Sequence, residues 1–197
     1  MFPATAVHPT LADAFWPAAG MRTHRNLVLA LAGSLLLALS AKIQVPFWPV
    51  PITMQTLAVA VIGMAYGSRL GLATLLVYGL EGALGMPVFA GTPERGVGLV
   101  YMAGPTGGYL VGFALCAALT GWLAERGWDR TAWRVAAAMT TGHAVAFVAG
   151  IAWLATFVGL PQAIELGLTP FWAATLFKIG LGVAVMPLAW RLVGQRL

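Results

Sequence analysis

The chain has 197 residues, of which 60% are hydrophobic and only 9% are charged, and its mean hydropathy is +0.85. A soluble domain averages about 25% charged residues, so this composition excludes an ordinary soluble protein and is typical of a membrane protein with several spans. The net charge of +5 does not indicate a nucleic-acid binder, because the basic residues are scattered and form no patch. The single cysteine, Cys116, excludes an intrachain disulfide.

Six apolar stretches follow the first 25 residues, and each approaches the ~20 residues that a helix needs to cross a bilayer. The predicted spans are residues 26–44, 51–67, 70–86, 105–124, 135–158 and 170–190. Only Ser68 and Arg69 separate the second span from the third, which predicts a tight helical hairpin. We therefore expect an all-α integral membrane protein with one membrane domain at 26–197. Residues 1–25 are expected to form a loosely ordered cytoplasmic leader.

The basic residues indicate which way the spans face. Outer loops hold only Arg95, whereas Lys42 and Lys178 lie within spans. The other eight of the eleven basic residues lie at inner ends of spans: Arg22, Arg25, Arg69, Arg126, Arg130, Arg134, Arg191 and Arg196. Because cytoplasmic loops carry the excess of Lys and Arg, both termini are predicted to face the cytoplasm.

The outer loops, at 45–50 and 87–104, are apolar and rich in proline and glycine. A loop exposed to water has no need of aromatic residues such as Phe47, Trp48, Phe89 and Tyr101. They could form an aromatic belt at the membrane interface. Together with the stiff backbone, they favour lids over a pocket that opens outward.

Small residues recur every four positions in three spans, which allows close helix packing in lipid. The fourth span has Gly104, Gly108 and Gly112, and the fifth has Gly142, Ala146 and Gly150. Both sets are expected to make contacts within the chain. The first span offers Ala30, Ser34 and Ala38, for which contact with another protein is favoured.

Lys178 is the only charged residue in the last span. Burying a lone ammonium at membrane depth costs ~2.5–3.5 kcal/mol, so such a residue usually faces a cavity or a partner. With a rise of ~1.5 Å per residue, Glu81 and Lys178 lie roughly 8 and 12 Å below the same face. They could form an ion pair. Alternatively, both line an outward pocket in which Lys178 meets an anionic or carbonyl group.

Other chemistry finds little support in the sequence. His143 lies in the fifth span and could relay protons, but a hydrogen-bonded packing role is favoured because no second titratable neighbour is evident. The chain has no G-x-x-x-x-G-K-[ST] motif and hence no P-loop for ATP. The G-x-S-x-G and H-E-x-x-H motifs are also missing, so neither a serine hydrolase nor a zinc protease is supported. We expect no catalytic residues, no metal site and no cofactor.

Three segments resemble the BioY family of biotin-binding S components of energy-coupling-factor (ECF) transporters. They are QVPFWPVPITMQT at 44–56, EGALGMPVFAG at 81–91 and GPTGGYLVGF at 104–113. The resemblance runs from about residue 27 to 192. It implies six helices with the S-component fold in a prokaryotic cell (inner) membrane. It also implies capture of biotin from outside, and partnership with a transmembrane T subunit and two cytoplasmic ATPase subunits.

The resemblance also implies roles for residues. S components typically meet the T subunit through small residues spaced by four on the first helix, here Ala30, Ser34 and Ala38. BioY proteins often carry an acidic residue three positions before the lysine of the sixth helix, but here Thr175 precedes Lys178. A hydroxyl donates and accepts without charge, and Glu81 could supply the missing charge. The implied biotin-binding set is Gln55, Glu81, Phe89, Gly91, Tyr101, Thr175 and Lys178, with the loop at Gly91 beside the ureido ring.

Chemical complementarity narrows the ligand to a small, mainly apolar molecule with a single charge, and only the resemblance selects biotin. Biotin has an apolar ring and chain, a neutral ureido group and one carboxylate. Two alternatives remain open at this point. The chain could be a solitary biotin facilitator that works without ATP, or an intramembrane enzyme acting on a lipid-like substrate.

Overall fold

A computed structural model describes residues 8–17 and 22–194. The helices are α1 (Leu11–Phe15), α2 (Arg22–Lys42), α3 (Gln55–Ala83), α4 (Gly98–Ala103), α5 (Gly107–Ala124), α6 (Ala132–Val158), α7 (Leu160–Gly167) and α8 (Trp172–Gly194). A 3₁₀ turn, Thr169–Phe171, precedes α8. The strands β1 (Gln44–Val45) and β2 (Ile52–Thr53) pair antiparallel.

Helix α3 is a folded hairpin, as the sequence predicted. Its backbone leaves the helical conformation at Gly67, where φ is 82° and ψ is 173°. On either side of this bend the two halves run antiparallel, because Gly71 lies against Gly63 and Gln55 bonds to Tyr78. The left-handed φ at Gly67 suits glycine, which carries no Cβ. The bend lies at the last residue of the second predicted span, directly before the predicted turn at Ser68 and Arg69.

In the described residues, five helical segments are long and apolar enough to cross a membrane. They are Arg22–Lys42, Gln55–Ala83, Gly107–Ala124, Ala132–Val158 and Leu160–Gly194. The second contains the hairpin, and the fifth combines α7, the 3₁₀ turn and α8. An all-α membrane protein is therefore confirmed. The count of six spans and the cytoplasmic termini stay predictions.

Glycines bring α5 close to its neighbours. A Cβ on Gly112 would lie 2.7 Å from the carbonyl oxygen of Ala146 in α6. On the hairpin side, a Cβ on Gly63 would lie 2.5 Å from the carbonyl oxygen of Ala117 in α5. Helix backbones approach this closely only where side chains are absent, so the fourth and fifth predicted spans use their small residues within the chain, as expected.

Part of the leader is ordered against the membrane domain, which corrects the expectation of a loose segment. Thr10 caps α1 and exchanges hydrogen bonds with Asp13. Asp13 also forms an ion pair with Arg25 at 2.9 Å. Leu11 is buried, and α1 packs against α3 and α8. Residues 1–7 and 18–21 lie outside the described part of the chain.

The opposite end of the bundle carries the two outer loops, predicted at 45–50 and 87–104, but helix α4 occupies the last part of the second predicted loop. We call residues 46–51 the first lid loop and residues 84–97 the second lid loop. The first connects β1 to β2, and the second connects α3 to α4. The peptide bonds before Pro49 and Pro93 are cis. Both loops lie over the space enclosed by α3, α5, α6 and α8, which contains the candidate site.

Candidate functional site

A cavity lies between the hairpin, α5, α6 and α8, beneath the lid loops. Its volume is about 40 Å³. Pockets that hold drug-sized ligands measure roughly 300–1,000 Å³, so this cavity is nearly closed. Its lining is Val50, Pro51, Thr53, Gln55, Thr56, Ala90, Tyr101, Thr106, Tyr109, Leu110, Phe113, Phe147, Phe171, Thr175 and Lys178.

Lys178 lies on α8 with only 4% of its surface exposed. Its Nζ donates a hydrogen bond to Thr56 Oγ1 at 2.9 Å, and this is its single hydrogen bond to a described residue. No carboxylate of a described residue lies within ion-pair distance of it. An ammonium has three N–H donors, so Lys178 retains donors for a further partner. Its charge is thus buried beside a cavity, as the sequence predicted.

Lys178 also borders a second space. A groove of about 230 Å³ lies between the β1–β2 ribbon and α8, and it shares Thr53 and Lys178 with the cavity. Lys178 therefore stands between the nearly closed cavity and a larger apolar groove. Any enlargement of the cavity past its side chain would join the two spaces.

Aromatic rings form one wall of the cavity, centred on Phe171. The Phe171 ring centroid lies 6.0 Å from that of Phe147, 6.5 Å from that of Tyr109 and 6.4 Å from that of Phe47. Tyr109 is anchored because its hydroxyl donates to the carbonyl of Gly167 at 2.9 Å. The rings of Tyr109, Phe147 and Phe171, from two helices and the 3₁₀ turn, line the cavity and provide an apolar surface suited to a flat or alicyclic ligand group.

Polar groups lie at the other side of the cavity. Gln55 Nε2 donates to the hydroxyl of Tyr78 at 2.7 Å, and that hydroxyl donates to the carbonyl of Val88 at 3.0 Å. This chain of bonds fixes the Gln55 amide between the two halves of the hairpin. Tyr101 and Thr175 also line the cavity. Four predicted residues, Gln55, Tyr101, Thr175 and Lys178, are therefore brought together.

Glu81 is not part of this group, which corrects the expectation that it lies beside Lys178. The hydroxyl of Ser34 on α2 donates to the Glu81 carboxylate. The carboxylate thus lies between α2 and the hairpin, and it does not line the cavity. The spacing along the spans indicates the depth of both charges below the membrane face, but depth does not define the direction of a side chain around the bundle. Neither the predicted ion pair nor the shared pocket is found.

Phe89 and Gly91 lie beside the cavity and do not line it; Ala90 between them does. The Phe89 ring stacks on Tyr101 with centroids 4.8 Å apart and fills the space against Gly82. Gly91 has φ of 71°, and a Cβ there would lie 2.7 Å from the Arg95 side chain. Both residues therefore support the second lid loop.

Two basic side chains hold the lid loops in place. Arg95 donates to the carbonyl of Pro49 at 2.9 Å and to that of Phe47 at 2.8 Å, so it joins the second lid loop to the first. Lys42, at the end of α2, donates to the carbonyls of Phe89 and Thr92 at 3.0 and 3.3 Å. These bonds keep the lids against the cavity. The sequence did not predict these bonds, because every residue has a backbone carbonyl and residue type does not show which carbonyl accepts a bond.

The predicted coupling residues face the interior of the chain. Ala30 is 4% exposed and Ser34 is fully buried, while Ala38 is half-buried. Ser34 is occupied by its bond to Glu81. The expectation that this face is open to another protein is therefore not met. Small residues in lipid pack against any neighbouring helix, and here the hairpin is that neighbour.

Sequence reasoning missed several lining residues, among them Thr56, Tyr109, Phe113, Phe147 and Phe171. A signal existed for two of them. Tyr109 and Phe113 are four positions apart on α5, one residue after Gly108 and Gly112, and they point to one side of the helix. Thr56 stands out as a hydroxyl at membrane depth, but the contact with Lys178 joins residues 122 positions apart.

The fold and this site define a helical membrane protein with a lidded cavity for a small, largely apolar ligand. A sequence model of the BioY family matches residues 13–195. The chain therefore belongs to the BioY family.

Individual relatives agree with this assignment. The chain is 41% identical over 146 residues to "Biotin transporter BioY" of Rhizobium etli, covering 69% of this chain and 76% of that protein. It is 35% identical over 150 residues to "Probable biotin transporter BioY" of Pyrococcus horikoshii, covering 76% and 86%. It is also 35% identical over 156 residues to "Biotin transporter BioY" of Thermotoga maritima, covering 79% and 89%.

A solved structure shares the fold. The S-component for biotin from an ECF-type ABC transporter matches with a TM-score of 0.70 and 19% sequence identity, over 85% of this chain and 92% of that one. The S-component fold that the resemblance implied is thus confirmed.

Proposed function

We propose that this protein is the biotin-binding membrane subunit of an importer in the prokaryotic cell membrane. It captures biotin from outside and passes it inward with a transmembrane T subunit and two ATPase subunits. The observation that carries the proposal is the cavity itself, where the buried ammonium of Lys178 faces an aromatic wall. The names of the relatives, biotin transporters, select biotin among small apolar ligands.

The lining is chemically suited to biotin. The aromatic wall around Phe171 accommodates the thiophane ring and the alkyl chain, which are apolar. The amide of Gln55 and the hydroxyl of Thr175 can each donate and accept, as a ureido group requires. Lys178 can donate to an oxygen of the ligand. A polyphosphate would need several basic groups, and Lys178 is the only one in this lining.

Binding requires the cavity to expand, because about 40 Å³ is far too small for biotin. The lid loops are the parts best placed to move. They are joined to each other through Arg95 and to α2 through Lys42, and these bonds involve only a few donors. We therefore assign the present structure to a closed form.

Titration calorimetry of the purified chain with biotin tests the proposal. Saturable binding to the isolated subunit supports it, and no binding under conditions where the protein is folded rejects it.

A second experiment separates the importer subunit from a solitary facilitator. Biotin uptake is measured in cells with and without genes for a T subunit and ATPases. Uptake that requires those genes supports the importer, whereas equal uptake without them supports the facilitator.

A further inference from the structure

Helices α6 and α8 pack against each other with a register that places two titratable residues at one level. Gly182 on α8 lies against the Met139 side chain on α6. Nearer the lids, Phe147 of α6 is in ring contact at 6.0 Å with Phe171, in the 3₁₀ turn that precedes α8. The helices are therefore antiparallel here. His143 lies one helical turn from Met139 on α6, and Lys178 lies one turn from Gly182 on α8, both toward the lids. The two residues are therefore at the same level of the helix pair.

His143 has an unused acceptor at this level. It is 2% exposed, and its Nδ1 lies 2.8 Å from the carbonyl oxygen of Met139. A carbonyl oxygen only accepts, so Nδ1 carries the proton and Nε2 of the neutral ring presents a lone pair. Nε2 is buried and has no hydrogen-bond partner among the described residues. A buried polar atom of this kind calls for a partner.

Lys178 has the complementary property. Its ammonium has three donors and makes one bond to a described residue, to Thr56 on the far side. On α5, the residues that face this level of α6 are Cys116 and Thr120, which contact Gly142. The Thr120 hydroxyl already donates to the Cys116 carbonyl at 2.9 Å. Lys178 retains donors that no described residue accepts, at the same level of the helix pair as His143.

Resting on the proposed function, we propose that His143 is a positioning residue for Lys178. Its Nε2 accepts a hydrogen bond from the ammonium through one water molecule, both before and after biotin enters the cavity. Thr56 and His143 then hold the ammonium from two sides, and the remaining donor is directed at the ligand. His143, for which the sequence indicated only a packing role, thereby acquires a role beside the site.

Three substitutions separate this role from simple packing. His143→Gln retains an acceptor, because Oε1 of glutamine extends about as far as Nε2. His143→Asn places its oxygen nearer Nδ1, and His143→Leu removes the acceptor while keeping bulk. We expect His143→Gln to bind biotin with near-parent affinity, and the other two to lose roughly tenfold, the value of one hydrogen bond to a charged group. Equal losses in all three would overturn the proposal.

A double-mutant cycle tests whether His143 acts through Lys178. In the Lys178→Met background, His143→Leu should have no further effect on biotin affinity. A full tenfold loss in that background would show that His143 acts independently and would contradict the proposal. Thr175→Ala is the control background, in which His143→Leu should still cost roughly tenfold.

A measurement without biotin distinguishes failure of this inference from failure of the proposed function. The ¹⁵N resonance of His143 Nε2 is recorded in detergent-solubilised parent, in Lys178→Met and in Thr175→Ala. A shift only in Lys178→Met supports the pairing even if the parent fails to bind biotin. An unchanged resonance in Lys178→Met overturns the inference even if biotin binds tightly.

Discussion

Lys178 on α8 and Thr56 on the hairpin are joined by a hydrogen bond of 2.9 Å between Nζ and Oγ1. The bond links two predicted spans that are 122 residues apart in the chain. It also explains how a lone ammonium remains at membrane depth without a carboxylate. The Thr56 hydroxyl compensates part of the free-energy cost of removing the ammonium from water, and the remaining N–H donors of Lys178 can bind a ligand.

The first prediction concerns Thr56. Thr56→Val removes the acceptor while keeping the shape, so the ammonium loses its fixed direction. We expect biotin affinity to fall by roughly tenfold, as is usual for a hydrogen bond to a charged group. Thr56→Ser should restore most of it. Thr140→Val is the control, since the Thr140 hydroxyl bonds only within its own helix, to Ala136. Calorimetric titration gives each affinity, and parent-like binding by Thr56→Val would contradict the assigned role.

The second prediction concerns the bonds that hold the lids. Arg95→Ala removes both donors to the first lid loop, so the closed form should open more often. We expect association and dissociation rates for biotin to rise together by roughly tenfold, with a smaller change in affinity. Arg95→Lys should resemble Arg95→Ala, because an ammonium lacks the fork that reaches both carbonyls. Stopped-flow binding measures these rates.

The control for this experiment is Glu94→Gln, at the exposed neighbouring residue. Its rates should match those of the parent protein. If Arg95→Ala also left both rates unchanged, the lid loops would not limit access to the cavity.

The third prediction concerns the contact between α5 and α6. A Cβ at Gly112 would lie 2.7 Å from the Ala146 carbonyl oxygen and 2.8 Å from its Cα, so Gly112→Ala must separate the backbones. Such overpacking costs about 1–3 kcal/mol. A Cβ on Gly180 would meet nothing within 4 Å, so Gly180→Ala should be neutral or slightly stabilising. Thermal unfolding in detergent compares the two. Equal midpoints would show that this contact is looser than described.

The fourth prediction concerns pH and Asp129, in the loop between α5 and α6. Asp129 is 1% exposed and accepts a bond from Trp190 Nε1 at 2.6 Å. Burial raises the pKa of Asp129 despite the opposing effect of that bond. The folded protein therefore binds this proton more tightly than the unfolded chain does. Stability should fall as pH rises from the ordinary value of 3.8 through the raised one.

The measurement is the unfolding midpoint at a series of pH values from the ordinary carboxyl value of 3.8 upward to neutral pH. Asp129→Asn keeps an acceptor for Trp190, so it should flatten the dependence and raise the midpoint at neutral pH. Asp13→Asn is the control. Burial raises the pKa of Asp13, but hydrogen bonds from Arg25 and Thr10 lower it by more, so the pKa of Asp13 lies below its ordinary value of 3.8. If the unfolding midpoint of Asp129→Asn depended on pH as steeply as that of the parent protein, the Asp129 carboxyl would be excluded as the cause of that dependence.

Much of the architecture could be predicted from the sequence, because spans depend on the length and polarity of local stretches. The hairpin followed from two short apolar runs around Ser68 and Arg69, and the cavity beside Lys178 followed from the cost of burying a lone charge. The directions of side chains around the bundle could not be predicted. Glu81 and Ser34 lie at suitable depths and spacings, but which helix they face depends on how α2 packs against the hairpin.

The lid loops could likewise be predicted only in part. Their composition predicted a cover over a pocket, since aromatic residues and proline are out of place in a free loop. The bonds that fix them, from Arg95 and Lys42 to backbone carbonyls, depend on the path of the chain. Side chains can be recognised in a sequence, whereas carbonyl acceptors are present at every residue.

The most direct test is the affinity of purified Lys178→Met for biotin, measured by calorimetry beside the parent protein and Leu176→Met, an exposed neighbour on α8. We predict that Lys178→Met stays folded and binds biotin at least roughly tenfold more weakly, because it loses a hydrogen bond from a charged group. Leu176→Met should bind biotin like the parent protein. Equal affinity in all three proteins would contradict the claim that the buried ammonium forms the ligand site.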